Sequence, residues 1–205
     1  MSKEVKVLLA REHAKWVMDH CTIGNPHAME VGKKGELSET EKMGMNSAIA
    51  NALLGFGKGL KSAKGDTKNI TTMGKLDNEG WLRIGDNSVI LMKEGKIVSL
   101  VCDTCAATMA AKLNRDVNFK GTKVEMIRCG FNVHHFLAVD REEGDINSFM
   151  TWGGNAFIID IWDDKLDPSE DEDKKYGVFE KPAGSSLAID YAMKKQLKVT
   201  QTFLL

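Results

Sequence analysis

Residues 101–113 read VCDTCAATMAAKL, directly after the short apolar run KIVSL. Asp103 and Thr104 are both good N-cap residues, and the residues that follow, AATMAAKL, are strong helix formers. The pattern predicts a helix over 104–113 with Cys105 in its first turn. At such an end the unpaired N–H groups and the positive pole of the helix dipole favour a thiolate, and they also offer donors to a bound carbonyl. Cys105 is therefore the candidate nucleophile, with Cys102 as the alternate thiol. The competing reading is a small apolar residue packing the helix on a sheet, a common fate of free cysteine.

A thiol needs a base, and the downstream strand FNVHHFLAVD (131–140) supplies two histidines. A period of two puts His134 and His135 on opposite faces. His135 shares its face with Val133, Leu137 and Val139, and is chosen as the base, with His134 as the alternate. Each could equally be a hydrogen-bonded sheet residue. In NAFIIDIW (155–162), Asp160 interrupts a strand that is apolar on both faces. A carboxylate there is costly unless paired, and an imidazole N–H is a fitting partner. Asp160 could instead cap the turn that begins at DDKLDP, and Asp163 is the alternate acid.

Around this centre the chain divides by period. Residues 3–20 carry an amphipathic helical stripe, and LSETEKMGMNSAIANALLGFGKGL (37–60) opens with Ser38 and Glu41 in capping-box spacing and reads as a second helix. From residue 80 onward GWLRIG, SVILM, KIVSLV, KVEMIRC, VHHFLAV and NAFIIDIW read as strands, the first of them as a hairpin. DDKLDPSEDEDKK reads as a solvated loop, and SSLAIDYAMKKQLKVTQTFLL as a closing helix with a strand-like tail. The fold class expected is α+β, with helices packed on one side of an antiparallel sheet, in a single domain over 1–205: a helical part at 1–64 and a helix-plus-sheet core at 65–205.

With 205 residues, 42% hydrophobic, 28% charged and a formal net charge of -1, the chain has no field that argues for nucleic acid or an anionic membrane. No apolar run approaches the roughly 20 residues that span a bilayer, and MSKEVKVLLAREHAKW places charges inside its apolar stretch, unlike a cleavable signal. Synthesis in the cytoplasm is expected. Cys21, Cys102, Cys105 and Cys129 do not have the spacing of a secreted disulfide framework, so free thiols are the default.

TCAATMAAKL, HHFLAVD and FIIDIW resemble the three blocks of the papain-like cysteine effectors and toxins of bacteria, whose families include thiol proteases and glutamine deamidases. The resemblance covers roughly residues 97–164. It implies a papain-like fold in which Cys105 is the nucleophile, His135 the base and Asp160 the orienting acid, with no cofactor and no metal. Oxyanion donors would be backbone N–H groups at Cys105 or a side chain such as Asn87, and Trp152 would line the groove beside the thiolate. It further implies a protein substrate, an immunity or chaperone protein as a partner, and export by a dedicated machine into a target cell.

A second class of reading treats the same residues as structural. Cys102 and Cys105 form C-x-x-C, and with Cys129 and His134 or His135 they could hold a zinc ion in a non-catalytic protein-binding module. GFGKGL follows a helix and lacks the ending of a phosphate loop, and the acidic run does not have calcium-loop spacing.

Overall fold

The computed structural model describes residues 1–23, 77–96, 98–130, 134–166, 170–180, 182 and 184–205. The helix expected over 37–60 lies outside them. Helix α1 spans Lys3–His20 as its stripe predicts, burying Val7, Ala10, Ala14 and Val17. It runs into a short strand β1, Cys21–Ile23.

Residues 78–93 overturn the hairpin reading. GWLRIG and SVILM lie in one helix, α2 (Asn78–Lys93), which buries Trp81, Ile84, Gly85, Ser88, Val89 and Met92. Those positions recur at steps of three and four, which is a helical stripe that the β-branched residues disguise. Asp77 caps the helix by accepting a hydrogen bond from the Gly80 N–H at 2.7 Å.

Strand β2, Val98–Leu100, pairs in parallel with β1, and helix α3, Cys102–Asn114, follows directly. Gly85 on α2 packs against α3 so closely that a Cβ there would collide with the carbonyl of Ala107 and the methyl of Ala111. The missing side chain lets the two helices touch through their backbones.

Five strands form the main antiparallel sheet: β3 (Lys123–Cys129), β4 (His134–Val139), β5 (Phe157–Ile159), β6 (Val178–Phe179) and β7 (Leu197–Leu204), in the order β6-β5-β4-β3-β7. Helix α4, Ile161–Leu166, starts two residues after β5, so part of the predicted acidic loop is helical; helix α5, Ser186–Met193, precedes β7 as expected. The fold is thus α+β. Alternation along the strands separates two cores. Val124, Met126, Leu137, Val139, Phe157 and Ile159 pack in one cluster with α1, α2 and α3. Ile127, Cys129, Phe136, Ala138 and Ile158 pack in the other with Trp152 and with Ala188 and Ala192 of α5. Both faces of the sheet are therefore covered, which corrects the one-sided packing expected from the sequence. Among the described residues no helix is long and apolar enough to cross a membrane.

Candidate functional site

Helix α3 begins two residues earlier than the sequence suggests. Its N-cap is Val101, and Thr104, three residues on, accepts from the Val101 N–H through Oγ1 at 2.8 Å. A hydroxyl at the third helical position reaches back as the second residue of a capping box does. Cys102 is consequently the first helical residue, while the Cys105 N–H already donates to Val101 O at 2.7 Å. The Thr104 N–H donates to Asp103 Oδ1 at 2.6 Å. The N–H of Cys102, the first helical residue, is one of the donors that an α-helix leaves without an intrahelical partner.

The end of α3 meets the end of the sheet where β4 starts and β5 stops. His134, the first residue of β4, lies opposite Cys129 of β3. Its Nε2 shares a hydrogen bond of 2.7 Å with Oδ2 of Asp160, and both side chains are shut off from solvent, at 0% and 1% exposure. The other oxygen of Asp160, Oδ1, accepts from the Asp163 N–H at 3.3 Å, so the same carboxylate caps α4. The Asp160 backbone N–H donates to Gly177 O at 2.7 Å, and a Cβ on Gly177, whose φ is +67°, would collide with the Asp160 carbonyl. Trp162 closes the pair from the side, its ring centroid 5.0 Å from that of His134.

The remaining imidazole nitrogen, Nδ1, has no hydrogen bond of regular geometry. The thiol of Cys102 is the neighbour that acts on the ring, by hydrogen bonding and by charge. Burial opposes a charge on His134, yet the Asp160 carboxylate and then Cys102 outweigh it and push the imidazole pKa up to about 10. The structure therefore brings together Cys102, His134 and Asp160.

Cys105 and His135 lie in the same neighbourhood. Both line a narrow cleft with Cys102 and Asp160, but neither has the electrostatics of an ion pair. Cys105 is 1% exposed, and burial, followed by the neighbouring Cys21 and Cys102, pushes its thiol well above the ordinary range. His135 is pushed down to about 4 by burial, by His134 and by Arg128. A thiolate–imidazolium pair needs the opposite of both shifts. Asp163 gives Asp160 a backbone donor and does not take its place. Asn87 sits in the middle of α2 and is not among the residues lining the cleft. Trp152 is fully buried in the second core, edge-on to Phe149 at 4.7 Å, and is not among the residues lining the cleft. Cys129 is also buried, its thiol pushed up to about 12 by burial, Asp160 and Cys102.

Among the described residues no group of three or more His, Cys, Asp or Glu side chains is arranged to hold a metal ion, so the zinc reading finds no ligand set there. A thiol at a helix end, a buried imidazole held by a carboxylate and influenced by that thiol, and the unpaired first N–H of a helix are the parts that acyl transfer through a thioester uses. No protein-family model matches the chain, and it matches no curated protein and no solved structure.

Proposed function

We propose that the chain is a cysteine-dependent hydrolase or acyl-transfer enzyme acting on protein amides, with Cys102 as nucleophile, His134 as base and acid, and Asp160 holding the imidazole, on a papain-like frame. The observation that carries this reading is the fully buried His134–Asp160 hydrogen bond, which leaves Nδ1 for the thiol at the first residue of α3. Burying such a pair is expensive, and a structural role alone would be met as well by apolar residues.

In this mechanism the Cys102 sulfur attacks the amide carbon, and the developing oxyanion is received by the Cys102 N–H. His134 passes a proton to the leaving nitrogen as the C–N bond breaks, giving a thioester on Cys102 and a free amine, or ammonia if the amide is a glutamine side chain. Neutral His134 then takes a proton from water, the oxygen adds to the thioester carbon, and the acid leaves as the thiol is restored. An amine in place of that water gives transamidation. The order thiol-bearing helix, histidine strand, aspartate strand agrees with the resemblance to bacterial papain-like toxins and effectors. On that resemblance the substrate is a protein of a target cell, and an immunity or chaperone protein is the second partner.

The test is alkylation with iodoacetamide at neutral pH followed by peptide mapping. Cys102 is expected to react first, Cys102→Ala to abolish that fast phase, and His134→Ala to slow it by an order of magnitude or more as the imidazolium is lost. Cys105→Ala should leave it in place. A fast phase that survives Cys102→Ala and disappears with Cys105→Ala would reverse the assignment. Intact-mass analysis of proteins exposed to wild type and to Cys102→Ala then separates peptide cleavage from exchange of a side-chain NH2 for OH.

A further inference from the structure

Beside the site lies a second concavity. A groove of about 580 Å³ opens at the same end of the sheet, lined by Arg128 and Gly130 of β3 and its turn, Tyr191 and Lys195 at the end of α5, and Lys198 of β7. Its position relative to the thiol follows from the strand register. His135 on β4 pairs with Arg128 on β3, and Arg128 pairs with Lys198 on β7. These three form a row across the sheet, from the cleft that holds Cys102 to the edge strand β7. Arg128, Lys195 and Lys198 thus gather three cationic side chains at one groove of a chain whose net charge is -1.

Lys195 adds an independent sign. It stands where the α5 cap turns left-handed, at φ +55°, with its N–H on Ala192 O and the next N–H, of Gln196, on Tyr191 O. Glycine is the residue that takes this position without strain. A lysine here holds a cation at the groove wall against a backbone cost. The groove floor is equally close-fitted: a Cβ on Gly130 would come within 2.5 Å of the Tyr191 ring.

We propose that this groove binds an acidic, extended segment of the protein substrate, lying across the end of the sheet along the row Lys198–Arg128–His135 so that its carboxylates meet Lys198 and Lys195 while the neighbouring amide reaches Cys102. This rests on the reading of Cys102 as nucleophile for its meaning as a substrate subsite, but the binding itself does not need catalysis. The groove's one aromatic, Tyr191, already has the Lys194 ammonium 5.2 Å from its ring centre and offers no stacking platform for bases, which favours an acidic peptide over a nucleic acid.

The experiment measures fluorescence anisotropy of a fluorescein-labelled polyglutamate peptide with Cys102→Ala protein. Expected are saturable binding that weakens as salt rises, a loss of roughly fivefold with Lys195→Glu or Lys198→Glu, and a larger loss with both. Lys195→Gly should raise the melting temperature while weakening binding, a combination that a purely structural lysine would not give. Unchanged binding in the double variant, or an oligodeoxynucleotide of similar length binding as tightly, would overturn the proposal. If Cys102 alkylates no faster than a free thiol while the peptide still binds, the groove stands and the enzyme reading falls; fast alkylation without peptide binding gives the reverse.

Discussion

Asp160 serves two structures with two oxygens, one on the His134 imidazole and one on the first turn of α4. Replacing it by alanine strands a buried imidazole and uncaps a helix, so a loss of about 3–5 kcal/mol in unfolding free energy is expected from chemical denaturation. Asp160→Asn keeps a cap acceptor and should cost less, while slowing alkylation of Cys102 because the ring loses its charge partner. If Asp160→Asn left the alkylation rate at the wild-type value, the carboxylate would have no part in setting the thiol's reactivity. The acid was legible in the sequence because an aspartate between apolar β-branched residues is hard to place otherwise. Its partner was not. Alternation correctly puts His135 with Leu137 and Val139, but the imidazole that Asp160 holds is that of His134, at the very start of β4 where β5 has already ended. Register between strands decides the pairing, and register is invisible in one strand read alone.

At the scale of elements, α2 and α3 are held together by absence of side chain. Gly85→Ala would gain helix propensity of about 1 kcal/mol, yet its methyl would meet backbone of α3 that cannot rotate away. The net expectation is destabilisation of about 1–3 kcal/mol, with faster alkylation of Cys102 as the helix shifts; a more stable Gly85→Ala protein would show that the two helices can part without cost. The α2 stripe also explains why the hairpin reading failed. Isoleucine and valine at 84, 89 and 90 raise strand propensity locally, while burial at steps of three and four over sixteen residues favours the helix. The error at α3 was smaller in length and larger in consequence. Asp103 and Thr104 are both N-cap types, and only the return of the Thr104 hydroxyl to Val101 N–H moves the helix start back and puts Cys102, not Cys105, at its tip.

For the whole molecule, two adjacent histidines set opposite limits on stability. The folded chain keeps the His134 proton up to about pH 10, whereas an unfolded chain releases it near 6.5, so the stability that this pair contributes is fully present below 6.5 and is lost as pH rises through about 10. His135 behaves in reverse: below pH 6.5 the unfolded chain takes up a proton that the folded chain refuses until about 4, so stability is lost as pH falls across that window. Denaturation followed across pH should give a dome with its top near neutrality, and His135→Gln should flatten the acid side between 6.5 and 4. An acid side of unchanged slope in that variant would place its origin in other groups. The four buried thiols have one more consequence. Cys21 begins β1, Cys102 and Cys105 sit in successive turns of α3, and Cys129 ends β3, each unoxidised. They form a native set of clocks for opening of the fold, with no probe to engineer. Under sub-denaturing urea the rate at which each is alkylated measures how often its own element breathes, and Cys105 and Cys129 should mark time with global unfolding long after Cys102 has reacted.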